Sequence, residues 1–336
     1  MLSALYAELA RARRDRFQRP GCRRRLRRPV VSVGNLSVGG RGKTPVVAHV
    51  AAVLSGMGER PAILSRGYGR RDRADGVVVV HDGTTIRAGL DQAGDEPLML
   101  ARRSDKTPVL VCPNRYLAGR LAELHLGATV HVLDDGFQHL PLERSVDLLI
   151  VSHADLDDPR TLPAGRLREP LAAAAQADAV LTEAGGPEGA EKVAARLGVA
   201  RAFEMARHLQ LPRRWDALPE GAPLEPGTRL LAVAGIARPE RFFADLQELG
   251  LDIAGTVAFR DHHAFGADDI VAIVERARVN RASAIVTTEK DLMRLLPHRP
   301  FSMPVAWVPL SVTLEPAGRF QAWLAERLAA ARSAAS

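Results

Sequence analysis

The sequence predicts an α/β protein made of a large three-layer α/β/α domain and a second, smaller α/β domain. Two observations predict it. Short apolar runs of strand length alternate with helix-like patterns almost from end to end, the rhythm of a parallel sheet covered on both faces by helices. That rhythm breaks once, at 210–228, where LPRRWDALPEGAPLEPGT is rich in proline, glycine and charge and marks a linker. The expected units are a basic segment at 1–28, a first domain at 29–209, the linker at 210–228 and a C-terminal domain at 229–336.

The segment 1–28 carries ten arginines against Glu8 and Asp15, whereas the remaining chain holds 36 basic and 37 acidic residues. The basicity is therefore a property of a tail, not of the fold. Leu2, Leu5, Tyr6 and Leu9 follow the spacing of one helical face. Three uses fit such a segment: docking on anionic lipid, packing on the protein's own core, and neutralising nucleic-acid phosphates. Phe17 alone interleaves the arginines, which argues against base stacking.

Strands are expected at Val30–Val33, Ala62–Ser65, Val109–Cys112, Thr129–Leu133, Asp147–Val151 and Ala179–Thr182, with a hairpin of Val77–Val80 and Thr84–Arg87 turning at Asp82-Gly83. In the smaller unit, strands at Leu230–Ala234, Ile253–Ala258, Ala284–Thr287 and Val305–Pro309 alternate with helices from Pro239 and Ala267, and a closing helix starts near Pro316. No stretch approaches the roughly 20 apolar residues of a membrane span; Leu171–Leu181 is short and broken by Gln176 and Asp178. Cys22 and Cys112 lie far apart in different contexts, and no secretory signal precedes the arginines, so a cytoplasmic setting is expected.

The most informative segment is Ser37-Val38-Gly39-Gly40-Arg41-Gly42-Lys43-Thr44, which follows the apolar strand from Val30 and opens a helix through Leu54. Glycines let backbone N–H groups converge on phosphate oxygens, the lysine reaches the outer phosphates and the threonine hydroxyl suits Mg²⁺. This makes the large domain P-loop NTPase-like, although Ser37 stands where the strict pattern has glycine. The strand ending in Asp134 and Asp135, followed by Gln138, supplies oxygen ligands for that metal at the carboxyl edge of the sheet; a self-satisfied Asp-Gly turn is the plain alternative. Asp95 reads first as a helix N-cap before Pro97, His262 and His263 as loop histidines, and Thr288 with Asp291 as a helix cap. Arg66 and Arg168 lie in loops that can clamp an anionic group or merely turn at the surface.

Seven ordered strings, VGNLSVGGRGKTP, ILSRGYGR, GDEPLML, LDDGFQH, PAGRLREP, DHH and TTEKD, resemble the tetraacyldisaccharide 4′-kinase family over nearly the whole chain. The resemblance implies transfer of the ATP γ-phosphate to the 4′-hydroxyl of a tetraacyldisaccharide 1-phosphate, a step of lipid A biosynthesis for lipopolysaccharide. It implies ATP and Mg²⁺ as cofactors, a membrane-embedded glycolipid as substrate, and peripheral contact with anionic lipid at the cytoplasmic face of the inner membrane of Gram-negative bacteria. No nucleic acid is expected, and surface docking becomes the favoured use of residues 1–28. By the same resemblance, Lys43 and Thr44 are the phosphate-loop pair, Asp134, Asp135 and Gln138 the metal-associated motif, and Asp95 and His262 the catalytic pair. Arg168 and Glu169 match an Arg-Glu-Pro element near the active site. If Asp95 and His262 meet across the cleft between domains, closure is a condition for chemistry. The competing classes are another P-loop enzyme, a ligase or GTPase, and a nucleotide-switched nucleic-acid module; no guanine-reading Asn-Lys-x-Asp string is present.

Overall fold

The computed structural model describes the chain except residues 40, 41, 73, 74, 105, 184, 216–220, 335 and 336. Fourteen strands occur among the described residues: β1 Val30–Asn35, β2 Pro61–Ser65, β3 Val78–His81, β4 Val109–Val111, β5 Val130–Asp134, β6 Val146–Ile150, β7 Ala179–Thr182, β8 Ala202–Leu209, β9 Arg213–Arg214, β10 Leu230–Ala234, β11 Ile253–Ala258, β12 Ala284–Thr288, β13 Val305–Val308 and β14 Leu310–Glu315. They form a nine-stranded sheet, β14-β8-β7-β6-β1-β5-β2-β4-β3, and a five-stranded one, β11-β10-β12-β13-β9.

In the large sheet every pairing from β8 to β4 is parallel, while β3 and β14 run antiparallel at the two edges. Strands β1, β2, β5, β6 and β7 are buried at every residue, because helices cover both faces and each side chain finds an apolar neighbour. The central strand β1 lies between β5 and β6, so its carboxyl end opens beside those of both neighbours. The phosphate loop therefore leaves the sheet next to Asp134, at the edge where such sheets hold ligands.

The expected boundaries shift in two places. Val305–Pro309 reads as one closing strand of the smaller unit, but the chain leaves that unit at Pro309 and re-enters the large sheet as β14, paired with β8 from Leu310↔Leu209 to Glu315↔Glu204. Its final helix, Ala317–Ser333, buries Phe320, Leu324 and Leu328, and Phe320 meets Phe203 of β8 edge-on at 5.0 Å. Residues from Leu310 onward thus belong in space with the large sheet, not with the expected 229–336 unit. The assigned linker in turn contributes β9 to the small sheet, antiparallel to β13. The expected hairpin keeps its first arm as β3; its second is reduced to an isolated bridge between His81 and Ile86.

Candidate active site

The phosphate loop is closed from outside by the segment at 161–168. Val38 N–H donates to the Arg166 carbonyl at 2.9 Å, and Ser37 bridges to Leu167. Ser37 is buried, and Asn35 Nδ2 donates to its carbonyl at 3.0 Å. Among the loop's described residues, left-handed backbone is confined to Gly39 (φ 94°) and Gly42 (φ 72°), so the serine costs no strain where the strict pattern has glycine. Gly42 caps the helix that starts at Lys43, and Thr44 is buried in its first turn. Gly40 and Arg41, also expected to touch phosphate, lie outside the described residues.

Lys43 Nζ donates to Asn35 Oδ1 at 3.2 Å and stands 3.6 Å from Asp135 Oδ1. The two adjacent carboxylates have opposite electrostatics. Asp135, held in the left-handed region at φ 52°, accepts two bonds of 2.8 Å from Arg168. Burial opposes its charge, but Arg168 and Lys43 hold it well below the usual carboxylate range. Asp134 is buried; its Oδ2 accepts from Ser65 at 2.8 Å and its Oδ1 has no hydrogen-bond partner among the described residues. Burial, then the charges of Glu96 and Asp135, push its carboxyl up to about 7. Gln138 donates from Nε2 to the Asn35 carbonyl at 3.0 Å and leaves a buried Oε1 without a partner among the described residues.

Asp95 is the first residue of the helix Asp95–Arg103 and not its N-cap, a place taken by Gly94. A Cβ at Gly94 would lie 2.8 Å from the Tyr68 carbonyl oxygen. Asp95 still accepts the Glu96 N–H at 2.9 Å through Oδ1, which leaves Oδ2 facing the smaller unit. There His262 Nδ1 approaches to 3.2 Å, so the structure brings together the two residues expected to meet across the cleft. His262 adopts φ 58° and sets its ring edge-on to Tyr68 at 5.5 Å. His263 is engaged elsewhere, 2.9 Å from Asp269 and stacked on Phe259 at 4.6 Å. Burial opposes the charge on Asp95, yet His262, Lys290 and Arg294 hold its carboxyl below the ordinary value. It therefore stays ionised beside the imidazole.

The two units are riveted at this point by ion pairs between the Asp95–Arg103 helix and the Glu289–Leu295 helix. Arg294 lies 3.2 Å from Asp95, Lys290 lies 3.1 Å from Glu96, and Arg103 donates to Glu289 at 2.6 Å. Thr288 and Asp291 form the expected cap, with Asp291 N–H donating to Thr288 Oγ1 at 3.0 Å. A cavity of about 410 Å³ between the units is lined by Lys43, Thr44, Glu96, Asp261 and Lys290 and also by apolar Met205, Ile236 and Phe242.

Arg66 is exposed at the end of β2. Arg115, which sequence reasoning did not single out, is a buried cation whose pKa is lowered to about 10 by burial, against the pull of Asp134, and lowered further by Arg66. Arg14 was missed too: it is the buried residue of the helix Leu2–Gln18, and its Nε donates to Glu169 at 2.6 Å. The signal for Arg14 was present as an arginine within the helical pattern, but its partner lies 155 positions away.

A sequence profile described as tetraacyldisaccharide-1-P 4′-kinase matches residues 1–329. Among curated relatives, the tetraacyldisaccharide 4′-kinase of Geobacter metallireducens is 41% identical over 277 residues, 82% of this chain and 80% of the relative. That of Koribacter versatilis is 40% identical over 325 residues, 94% of each chain. Among solved structures, LpxK from Aquifex aeolicus in complex with ATP superposes with a TM-score of 0.78 at 30% identity, covering 97% of both chains. A fold shared over its whole length, a strand-loop-helix phosphate site and these relatives agree: the chain belongs to the tetraacyldisaccharide 4′-kinase family.

Proposed function

We propose that this chain performs its family's reaction, moving the γ-phosphoryl group of ATP to the 4′-hydroxyl of tetraacyldisaccharide 1-phosphate, at the cavity between the two sheets. The observation that carries the reading is that Lys43 and Thr44 line the cavity that Lys290 and Asp261 also line, next to the Asp95–His262 contact. In the reaction the sugar oxygen forms a bond to phosphorus, the bond from phosphorus to the ADP oxygen breaks, and the hydroxyl proton passes to the Asp95–His262 pair. General-base help of this kind contributes about 10²–10⁴-fold. Lys43 and the loop amides neutralise charge on the transferring group.

The residues present fit Mg²⁺. Asp134 Oδ1 and Gln138 Oε1 are buried oxygens lacking partners among the described residues, and the raised affinity of Asp134 for a proton is that of a site short of positive charge. Thr44 and Asp134, with Gln138, would hold the cation together with phosphate oxygens; Asp135, gripped by Arg168 and Lys43, is the less available carboxylate. Bound there, Mg²⁺ would supply charge neutralisation on the phosphates. Arg66, exposed at the end of β2, offers a cation for an anionic group of the acceptor.

The acceptor is a lipid, and the N-terminal helix suits a surface that carries it. Leu2, Leu5 and Leu9 are 66%, 58% and 62% exposed, so the apolar stripe is not spent on the protein's own core. Among the described residues no helix is long and apolar enough to cross a membrane. We place the stripe in the acyl boundary of the cytoplasmic face of the inner membrane, with the exposed Arg11, Arg16 and Arg19 on anionic headgroups. The test is transfer from ATP labelled in the γ-position to detergent-dispersed precursor in Mg²⁺, wild type against Lys43→Ala. Transfer that persists unchanged in Lys43→Ala removes the phosphate loop from the reaction.

A further inference from the structure

Lys290 occupies a position that a purely structural ion pair does not require. Its Nζ lies 3.1 Å from Glu96 Oε1, 3.1 Å from His262 Nε2 and 3.9 Å from Asp261 Oδ1. Its side chain is 16% exposed and lines the same cavity as Lys43 and Thr44. Burial opposes its charge, but Glu96, Asp95 and Asp261 raise its pKa above the usual lysine value, so it is an ammonium. An ammonium has three N–H donors and no acceptor. His262 Nε2 must therefore be the acceptor in this contact, and the ring proton sits on Nδ1, facing Asp95.

With Nδ1 protonated, Nε2 is the nitrogen able to take a proton from a sugar hydroxyl, and here it is occupied by Lys290. A base masked in this way cannot act until the lysine leaves. The cavity supplies a destination, because a polyphosphate gripped by Lys43 brings anionic oxygens into the space that Lys290 lines, in competition with Glu96. Lysine is a compact charge on a flexible four-carbon stem and exchanges one anionic partner for another without a fixed geometry. Charge placed on the transferring group from the second sheet also complements Lys43, which comes from the first.

We propose that Lys290 is a phosphate-binding residue supplied by the smaller unit, and that its transfer from His262 Nε2 to bound nucleotide unmasks the imidazole as proton acceptor. The proposal rests on the site described under Proposed function. It makes occupancy by nucleotide a precondition for a competent base. The alternative is a tie: Lys290 joins Glu96 to the small sheet as Arg103 and Glu289 do, with no response to nucleotide.

The two are separated by ¹⁵N NMR of the full chain labelled at histidine, with the His262 ring signals assigned by loss in His262→Gln. In the wild type, adding a non-hydrolysable ATP analogue with Mg²⁺ shifts the Nε2 resonance away from its hydrogen-bonded position while the Nδ1 proton stays with Asp95. In Lys290→Met the resonance starts at the shifted position and does not respond. Turnover of Lys290→Met falls by about 10²-fold or more, the scale of one removed charge donor, with a higher KM for ATP. Lys290→Arg, which keeps the cation, recovers part of both. A wild-type Nε2 signal indifferent to saturating analogue overturns the proposal, and this needs no variant to fold. Normal turnover in Lys290→Met overturns it as well. A wild type that shows the Nε2 response but never phosphorylates the glycolipid contradicts the acceptor assignment and not the role of Lys290.

Discussion

Arg14 and Glu169 form a buried, two-pronged ion pair, 2.6 Å from Nε to Oε2 and 2.8 Å from Nη2 to Oε1, that fastens the N-terminal helix to the loop carrying Arg168. Their side chains are 4% and 5% exposed, and the guanidinium also lies over the Phe137 ring at 4.5 Å. The helix also touches the site through Tyr6, which donates to the Arg168 carbonyl at 3.2 Å, through Arg13, which donates to the Gln138 carbonyl at 3.2 Å, and through Ser3, whose carbonyl accepts from Thr161 at 3.0 Å. A helix with its leucines in solvent is thus held by polar contacts to residues beside the phosphate loop.

Removing one partner of that pair strands a charge. Arg14→Ala is expected to lower unfolding free energy by about 3–5 kcal/mol in urea denaturation, because Glu169 remains buried without its cation. The double change Arg14→Met with Glu169→Leu is expected to recover most of the loss. Equal losses in the single and double variants would show that the pair is not the fastening.

The proposed role of the Asp95–His262 pair is tested by separating chemistry from binding. Asp95→Ala and His262→Ala are each expected to reduce kcat by about 10²–10⁴-fold while leaving ATP affinity, measured by calorimetry, within a few-fold of wild type. His263→Ala, which loses its contact to Asp269 instead, is expected to affect stability more than kcat. Near-normal turnover in both Asp95→Ala and His262→Ala removes the pair from the mechanism.

Asp134 gives the nucleotide-free, metal-free protein a signature in pH. Its folded carboxyl is pushed up to about 7, above an ordinary value of 3.8. Between those two values the folded state binds more protons than the unfolded one, so this group's contribution to stability is full below about 4 and is lost as pH rises through about 7. Asp134→Asn is expected to flatten that part of the stability profile and to weaken Mg²⁺-dependent nucleotide binding. An unchanged slope in thermal melts across this window contradicts the assignment.

The leucine stripe is tested on membranes. Changing Leu2, Leu5 and Leu9 together to serine is expected to weaken sedimentation with anionic vesicles by about two orders of magnitude, taking roughly 1 kcal/mol for each partly inserted leucine. Turnover on detergent-dispersed substrate is expected to stay within a few-fold of wild type, because none of the three leucines is buried. Unaltered vesicle binding would assign the stripe another role.

The parts of this molecule legible in the sequence are those whose signal is local. The apolar run at Val30, the glycine-rich turn into Lys43 and the carboxylates closing β5 each declare themselves within ten residues, and the sheet places them side by side. Strands β8 and β14 are not marked by the sequence because both are half-buried and their mutual pairing spans a hundred residues, although Phe203 and Met205, and Val312 and Leu314, alternate with less buried residues as half-buried strands do. Arg14, Arg115 and Lys290 were not singled out for a different reason. An isolated basic residue in a helix reads as solvated until the fold shows which carboxylate faces it.

One reaction at one cavity explains these residues, and its direct measurement is the fate of the γ-phosphorus. Purified protein incubated with γ-labelled ATP, Mg²⁺ and dispersed tetraacyldisaccharide 1-phosphate is expected to place the label on the sugar 4′-oxygen, with transfer abolished in Lys43→Ala and lowered at least 10²-fold in His262→Ala. Label recovered only as inorganic phosphate, or transfer at wild-type rates in Lys43→Ala, contradicts it.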